Sequence, residues 1–386
     1  MSSRSHITQH VVISTHQMLY GAPHALRDYF LQKHIRQLTY IGHPLVEQRA
    51  SSFNYYKDNT LISSHHIKRS LFLGPVDYFI DFFLSLWWVY FLPNKQDLFI
   101  GVDPLNCFVG LILKKLGKVK KVIYYTIDFV PVRFHNHALN ILFHFIEKFC
   151  VLHADEVWNV SPRIAQGREK FLHILPKQYP QKVVPIGVWF DKIYKRPFDK
   201  IKKNQLLFVG HLLEKQGVQL VLMAIPHIVK KIPEFHFLII GGGEYESELK
   251  HLVGDLNIQS HVTFMGWVKE REKLDTCMSQ SACAIALYKP EKEKLYNFTY
   301  YADPTKLKDY LAAGLPIILT DVSYNARDIE RNKCGILVEY NTKEVANAIQ
   351  KLLSDTLLLV KYKRNALQYA SQFDWNTIYN TAFLLK

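Results

Sequence analysis

Residues 302–321, "ADPTKLKDYLAAGLPIILTD", predict a helix followed by a buried strand. The Asp303-Pro304 pair is typical of a helix start, with Asp303 as the N-cap, and Gly314 is typical of a helix end. Lys306 falls in the first helical turn, where the helix dipole disfavours a cation. Either this lysine faces only solvent, or an anion lies beside it.

The strand–helix pattern of this stretch recurs along the chain. Apolar runs bounded by Gly, Pro or Asp are typical of strands buried on both faces of a parallel sheet. Six such runs lie in the first half, with helix-length segments at 23–34, 105–116, 136–150 and 162–172 between them, and six more in the second half. The sequence therefore predicts an α/β protein with two doubly wound domains, divided within the charged segment 190–205.

The composition is that of a folded intracellular protein. The chain has 386 residues, of which 48% are hydrophobic, so it is long enough for two domains and is not of disordered type. Its five cysteines form no CxxC pair, and the polar start "MSSRSHITQH" shows no secretory signal. We therefore expect a reduced, cytoplasmic protein.

The positive charge is concentrated in the first half. The net charge is +14, and residues 1–199 hold 24 Lys+Arg against 14 Asp+Glu. This balance favours an acidic partner such as anionic lipid, phosphorylated substrate or nucleic acid, unless the basic face has no specific purpose. No RNA-binding signature with interleaved aromatic residues is visible, so no nucleic acid is expected.

The most apolar stretch is "VDYFIDFFLSLWWVYFL" at residues 76–92. It has 17 residues and contains Asp77 and Asp81, which makes it too short and too charged for a membrane span. The alternatives are a buried helix and a helix that lies at a membrane interface. The nearby lysine-rich stretch "KKLGKVKK" at 114–121 suits an anionic surface.

Three strand ends in the second half are candidates for a phosphate site. Gly210 follows the strand-like "LLFV", and Gly241, Gly242 and Gly243 follow "FLII". Glycines there allow backbone N–H groups and a helix start to approach a phosphate, although tight turns also need glycine for their own geometry. The third end is the opening stretch, where Lys306 and Asp309 share a helix face. They form either a surface ion pair or contacts to a phosphate and a ribose.

The order of these motifs resembles a known enzyme family. "VGHLLEKQG", "IIGGGEYESELK", "VTFMGWV" and "PTKLKDYLAAGLPII" resemble the donor-binding half of retaining GT-B glycosyltransferases of family four, the glycosyl transferases group 1. The first half resembles that fold more loosely, in "LYGAPHALRDYF", "ADEVWNVSPRI" and "VVPIGVWFDKI", and "FDWNTIYNTAFLLK" resembles its closing helix. The resemblance implies two Rossmann-like domains that face each other across a cleft.

The resemblance also implies a domain assignment. Residues 1–192 would form an N-terminal acceptor domain, 193–204 a linker and 205–372 a nucleotide-sugar-binding domain. Residues 373–386 would form a helix that returns to the N-terminal domain. The acceptor would be a glycan or a lipid-linked saccharide, and the protein would lie in the cytoplasm or at the inner face of the membrane.

The family's site residues are carried over onto matching positions. The nucleotide base would lie near Gly266, Trp267 and Val268, the ribose on Asp309, and the diphosphate at the start of the 304–313 helix near Lys306. The donor site implied in this way consists of Gly21, Gly210, His211, Lys215, Gln216, Gly241, Gly242, Gly243, Gly266, Trp267, Val268, Asp303, Thr305, Lys306 and Asp309. Basic side chains and helix dipoles stabilise the departing diphosphate in this family, so neither a metal nor a cofactor is expected.

Several positions depart from the family pattern. The first of its two paired carboxylates would fall at Tyr301, with Asp303 as a displaced substitute, and the second, usually Glu, is Asp309. His211 replaces an Arg, and Gln216 replaces a Lys whose role the adjacent Lys215 could fill.

A further departure lies in the first half, where Asp128 stands at the position of a frequent His. It would contact the sugar or act as a base, or it would cap a helix. Asp128 and Lys306 are the candidate catalytic residues.

The resemblance therefore implies sugar transfer from a nucleotide-diphosphate sugar, with retention and without metal. A nucleotide-sugar 2-epimerase on the same fold is one alternative. A catalytically silent binding subunit is the other.

Overall fold

The computed structural model describes residues 9–16, 20–44, 50–68, 74–291 and 297–384. Residues 1–8 and 17–19 of the predicted N-terminal domain, and residues 385–386 of the predicted last helix, lie outside these ranges. The chain divides into two compact units. The N-terminal unit comprises Met1–Pro185 with Tyr379–Lys386, and the C-terminal unit comprises Ile186–Ile378. The roles assigned above to segments of the chain stay predictions.

The N-terminal unit is built on an eight-stranded sheet. All its predicted strands are present, and the apolar runs of the central strands are buried as expected of a parallel sheet, whereas the last predicted strand is partly exposed. The sheet order is β4-β3-β2-β1-β5-β6-β7-β8. The strands are β1 His10–Thr15, β2 Gln37–Gly42, β3 Ala50–Lys57, β4 Thr60–Lys68, β5 Gln96–Gly101, β6 Val119–Thr126, β7 Glu156–Asn159 and β8 Gln181–Val183.

One edge of this sheet was not predicted. Strands β3 and β4 form an antiparallel hairpin on β2, so this edge adds two strands that the sequence did not indicate. Asp58 and Asn59 form the turn with φ of 47° and 66°, which short polar residues adopt more readily than other residue types. Strand β4 is largely exposed and polar, so it lacks the apolar run that marked the other strands.

Helices of the N-terminal unit lie at the predicted helix-length segments, and three of them begin at a side-chain cap. Asp103, Asn136 and Ser161 accept backbone hydrogen bonds at the starts of three of them. Tyr379 donates a hydrogen bond to the carbonyl of Ala22 at 2.8 Å, so the chain's end packs on the first helix. The helices are α1 Ala22–Gln32, α2 Gly74–Tyr90, α3 Pro104–Lys115, α4 His137–His153 and α5 Pro162–Leu172, and the last helix of the chain, α14 Trp375–Leu384, belongs to this unit from Tyr379 onward.

The C-terminal unit has a six-stranded, wholly parallel sheet, as predicted. Its order is β11-β10-β9-β12-β13-β14, and apolar helices cover both faces. The strands are β9 Lys202–Val209, β10 His236–Ile240, β11 Val262–Phe264, β12 Ser281–Ala286, β13 Ile317–Leu319 and β14 Gly335–Leu337. The helices are α6 Val218–Ile228, α7 Glu246–Asp255, α8 Arg271–Gln280, α9 Phe298–Tyr301, α10 Thr305–Ala312, α11 Ala326–Arg331, α12 Thr342–Ser354 and α13 Thr356–Ser371.

The opening stretch folds as a helix and a strand, with one correction. Helix α10 begins at Thr305, and its N-cap is Pro304 without a side-chain hydrogen bond, so the prediction that Asp303 caps the helix is wrong. Gly314 follows the helix at a φ of 73°, which suits its predicted place at the helix end.

Each sheet has a point at which the strand order reverses direction. In the N-terminal unit this switch point lies between β1 and β5, and in the C-terminal unit it lies between β9 and β12. Open α/β sheets bind ligands beyond the carboxyl ends of the strands at such points. We therefore expect the functional residues to lie directly after β1 and β5 in the N-terminal unit and after β9 and β12 in the C-terminal unit. In the described part of the chain, no helix is long and apolar enough to span a membrane.

Candidate functional site

Glycines bring backbone segments close together at the switch point of the C-terminal unit. Gly210, which follows β9, donates its N–H to Ile240 at 2.9 Å, and Gly241 donates to Gly266 at 2.8 Å. Gly241 has a φ of 130°, and a Cβ there would lie 1.9 Å from the carbonyl oxygen of Gly210. These glycines are therefore required by close approach of the backbone, as well as by any ligand.

Lys306 reaches into this switch point from the first turn of α10. Its ammonium Nζ donates to Gln216 Oε1 at 2.8 Å and lies over the rings of Phe208 and Tyr288, at 4.6 and 5.3 Å from their centroids. A Cβ on Gly210 would stand 3.0 Å from the same Nζ. The side chain thus points at the ends of β9 and β12, and the first turn of α10 presents it there.

The charge of Lys306 is not neutralised by the residues that the structure describes. Within those ranges, no aspartate or glutamate forms an ion pair with it, and Gln216 offers only a neutral amide oxygen. Burial lowers the pKa of Lys306 to about 7, because little compensates the charge removed from water. An anion bound here would supply the missing charge.

Asp309 lies one turn further along α10, beside a different cation. Its Oδ1 accepts from Arg271 Nη2 at 2.9 Å, and Arg271 also pairs with Asp275 at 2.8 Å. Burial raises the pKa of Asp309, although Arg271 acts in the opposite direction. Asp309 and Lys306 are therefore held by separate partners, and the alternative of an ion pair between them is wrong.

Asp303 is buried among groups that hold it in place. Its carboxylate accepts from the N–H of Ile186 at 2.9 Å and from Asn325 Nδ2 at 3.2 Å, and it pairs with Lys308 Nζ at 3.2 Å. Tyr301, at the family's first carboxylate position, is also buried. Asp303 thus ties the start of α10 to other parts of the C-terminal unit.

Five other predicted donor residues of this unit form a second group. His211 meets Trp267 edge to face at 5.7 Å between ring centroids, and the exposed Trp267 lies close above Gly242. His211 also lies against Gly243. Gly266 precedes Trp267 in the chain, so five predicted residues share one surface.

Three predicted residues of the C-terminal unit lie outside these groups, and two lie in the other unit. Val268 is half-buried against the core, while Lys215 and Thr305 are exposed. Gly21 precedes α1, with a φ of −167° that any residue adopts. Asp128 pairs with Arg133 Nη2 at 2.9 Å, and Asn136 rather than Asp128 caps α4.

The switch point of the N-terminal unit contains a cluster that the sequence did not reveal. His16 follows β1, and its Nδ1 lies 2.8 Å from Asp103, which follows β5; its Nε2 lies 3.3 Å from Asp81 on α2. Burial alone would lower the pKa of His16, but Asp103 and Asp81 raise it to about 9. The available signals were "STH" and "VDP" at two strand ends, and they are too short to be specific.

A buried hydrogen-bond ring extends from this cluster. Asp81 also contacts His43 at 2.9 Å, and His43 contacts Ser85 at 2.7 Å. Ser85 lies 3.3 Å from Ser14. Ser14 donates to Asn106, and the amide of Asn106 donates back to Asp103 at 2.6 Å. Such a closed set of partners satisfies groups that would otherwise be costly to bury.

A cavity of about 520 Å³ opens beside the cluster. Its lining includes the charged groups His16, Asp103, Asp128 and Arg133, and Tyr78, which also lines it, interacts electrostatically with the last three. The rest of its wall consists mainly of apolar side chains, including six phenylalanines: Phe79, Phe82, Phe83, Phe108, Phe134 and Phe143. Its volume lies within the ordinary range of sites for small organic ligands.

Helix α2 exposes an apolar face outside this cavity. Trp87, Phe79, Phe83 and Phe91 are each about three-fifths exposed, and together with Leu116 they line a groove of about 710 Å³. The segment 76–92 is therefore buried on one face only. Exposed apolar surface of this extent usually marks an interaction site.

The chain is similar to known glycosyltransferases in sequence and in structure. A model of the family described as glycosyl transferases group 1 matches residues 191–369. Spore coat protein SA of Bacillus subtilis (strain 168) is 30% identical over 190 residues, 46% of each chain. A phosphatidyl-myo-inositol mannosyltransferase of Mycolicibacterium smegmatis is 26% identical over 175 residues, 45% of this chain and 42% of that protein. The chain thus matches less than half the length of these relatives.

Solved structures match nearly the whole chain, and two of them serve as examples. Sucrose-phosphate synthase from Thermosynechococcus elongatus has a TM-score of 0.70 at 17% identity, over 97% of this chain and 99% of that one. Anabaena HepE in complex with UDP-glucose has a TM-score of 0.67 at 16% identity, over 96% and 97%. At such identity the likeness shows the fold, which is of the predicted GT-B class with two Rossmann-like units. Over residues 191–369, just under half of the chain, the sequence thus matches the glycosyl transferases group 1 family.

Proposed function

We propose that the chain transfers a sugar from a nucleotide-diphosphate sugar to a glycan or lipid-linked acceptor, with retention and without metal. The main support is Lys306, a half-buried ammonium that the described residues leave without a counter-charge at the switch point of the C-terminal unit. A diphosphate at Gly210 and the start of α10 would neutralise it. This also explains a lysine in the first turn of the helix.

The other donor contacts follow from the two groups of residues described above. The surface of His211, Gly242, Gly243, Gly266 and Trp267 would receive the nucleotide base. Asp309, oriented by Arg271, would accept hydrogen bonds from the ribose hydroxyls, and Gln216 would help to hold Lys306 toward the phosphates. HepE was solved with UDP-glucose, which supports a nucleotide sugar as the donor class.

Calorimetry with nucleotide diphosphates tests this proposal. Lys306→Ala should weaken binding by about 1.5–3 kcal/mol, because a charge-assisted hydrogen bond is lost. Lys343 holds the same second position in α12 but is exposed, so Lys343→Ala is a matched control that should change affinity little. Unchanged affinity in Lys306→Ala for every diphosphate that binds the wild type would contradict the assignment.

Product analysis separates transfer from the two alternatives. A 2-epimerase would release free sugar and nucleotide without an acceptor, whereas a silent subunit would bind the donor without turnover. A thermal-shift panel of nucleotide sugars identifies the donor first, because a ligand of the native state raises the melting temperature.

We further propose that the N-terminal unit binds anionic membrane at the inner face of the membrane, where a lipid-linked acceptor would lie. The exposed face of α2 would enter the headgroup boundary. Lys118 lies over Tyr90 at 4.7 Å and Lys115 is exposed nearby. The Mycolicibacterium relative is named a phosphatidyl-myo-inositol mannosyltransferase, and this name supports a lipid substrate.

Co-sedimentation with liposomes tests this surface. Replacing Lys114, Lys115, Lys118, Lys120 and Lys121 by Gln should weaken binding, by about 1 kcal/mol for each lysine that contributes. Lys114, Lys120 and Lys121 already pair with Asp155, Asp97 and Glu156, so a Lys115→Gln, Lys118→Gln double variant should account for most of the loss. Equal pelleting with neutral and anionic vesicles would contradict the proposal.

A further inference from the structure

We propose that the cavity of the N-terminal unit binds the aliphatic chain of an amphiphilic, hydroxyl-bearing acceptor, with the polar head against the charged groups of the cavity lining. This inference rests on the proposed transfer reaction and specifies its acceptor. It depends on the N-terminal unit alone, and its contacts are separate from those of the donor.

The shape and lining of the cavity favour a long apolar chain. Phe82 stacks on Phe108 at 5.9 Å, and Phe134 meets Phe143 edge to face at 5.8 Å, so pairs of aromatic rings make up much of the wall. Leu142 lines the same cavity and is about half exposed. A wall of this kind gains free energy when an aliphatic chain displaces water from it.

The cavity is continuous with the exposed face of α2. Phe79 and Phe83 line both the cavity and the groove on that face. An amphiphile held at the proposed membrane surface would therefore meet apolar side chains without interruption from the groove to the cavity. This continuity is the reason for assigning a lipid chain rather than a soluble aromatic ligand.

The charged groups of the cavity lining select the head of the ligand. Asp128 pairs with Arg133, and Asp103 pairs with His16, so each carboxylate faces a cation and no excess of one charge is presented. Sugar hydroxyls both donate and accept hydrogen bonds, and they suit alternating carboxylate and guanidinium groups. A head that carries a net charge would be repelled by the like-charged member of each of these two pairs.

Binding of alkyl glucosides below their critical micelle concentrations tests the chain-binding part. Calorimetry on the full chain should show dodecyl β-glucoside binding at least about tenfold more tightly than octyl β-glucoside, because each added methylene is buried. Glucose alone should not compete. Equal affinity for the two glucosides, or full competition by glucose, would overturn the proposal without any variant.

Variants of α4 provide a matched pair. Leu142→Trp fills the cavity and should weaken dodecyl glucoside binding by about tenfold or more, since the chain loses its space. Ile141→Trp changes the neighbouring exposed residue, which does not line the cavity, and should stay within about twofold of the wild type. An equal loss of dodecyl glucoside affinity in both variants would show that the ligand does not bind in this cavity.

The head is tested by comparing three dodecyl amphiphiles. Dodecyl glucoside should bind more tightly than dodecyl phosphate and dodecyltrimethylammonium, and Asp128→Asn should reduce this preference while Leu142→Trp weakens all three. Tighter binding of dodecyl phosphate or dodecyltrimethylammonium than of dodecyl glucoside would overturn the assignment of an uncharged, hydroxyl-bearing head. Nucleotide-diphosphate affinity, measured on the same samples, should be unchanged in Leu142→Trp. If the wild-type protein bound no nucleotide diphosphate, that result would instead contradict the proposed function.

Discussion

The two switch points each hold a half-buried or buried cation, but in opposite electrostatic settings. His16 lies between Asp81 and Asp103, at 3.3 and 2.8 Å, and the pKa of His16 is raised to about 9 although burial acts to lower it. Lys306 has the neutral Gln216 at 2.8 Å, and burial lowers the pKa of Lys306 to about 7. The same place in the same fold thus holds one charge that neighbouring carboxylates compensate and one that the described residues do not.

The difference separates a structural charge from a ligand-binding one. Removing one partner of a buried ion pair is strongly destabilising, because the other charge is left buried without compensation. A buried cation without a counter-charge lowers the free energy of unfolding until an anion binds beside it. Such cations occur at functional sites, where a ligand supplies the counter-charge. On this basis we expect His16 to matter for folding of the N-terminal unit and Lys306 to matter for binding.

The largest expected effect is on stability. His16→Gln should destabilise the protein by about 3–5 kcal/mol at pH 6, because Asp81 and Asp103 lose their shared cation. Lys306→Met is the matched variant, and it should be neutral or stabilising because it removes an uncompensated charge. Urea denaturation measures both variants. A larger loss of stability in Lys306→Met than in His16→Gln would reverse the comparison.

The pH dependence of this difference gives a second, smaller effect. Because the folded-state pKa of His16 lies above its unfolded value of 6.5, its stabilisation is fully present below pH 6.5 and is lost as the pH rises through about 9. The destabilisation by His16→Gln should therefore shrink over this range, by roughly 1–3 kcal/mol. Denaturation of both proteins at pH 6 and at pH 9.5 checks this, and a pH-independent difference would argue against a protonated His16.

Lys306 should also lose its effect as the pH rises, but in ligand binding rather than in stability. Above pH 7 its ammonium is largely deprotonated in the free protein, so diphosphate binding must take up a proton. Affinity should fall by up to about tenfold per pH unit above 7 in the wild type, and it should be nearly flat in Lys306→Met. Calorimetry in buffers of different ionisation enthalpy measures the proton uptake. No uptake at pH 8 would show that Lys306 does not contact the diphosphate.

The contrast between the switch points also bears on what the sequence could predict. The parallel strands were predictable because a short, continuous apolar run bounded by Gly, Pro or Asp is typical of a strand buried on both faces. Residues 304–318 indicated the family because their spacing is specific. Strand β4 was missed because its exposed polar residues form no such run. Asp303 was misassigned as the helix cap because an Asp-Pro pair does not show which backbone N–H group donates a hydrogen bond to the carboxylate. The His16 cluster joins residues far apart in the chain, and only the fold brings them together.

The smallest expected effect is that of a chelator on turnover, which we expect to be none. The departing nucleotide diphosphate carries negative charge that must be stabilised as the bond to the sugar breaks. Lys306 and the first turn of α10 would supply positive charge at that place, and diphosphate binding would keep Lys306 protonated at neutral pH. Turnover with excess EDTA should therefore equal turnover without it. Lys306→Met should lose activity in both conditions, and added Mg²⁺ should not restore it. Turnover that EDTA abolishes and Mg²⁺ or Mn²⁺ restores would show that a metal ion, rather than Lys306, stabilises the leaving group.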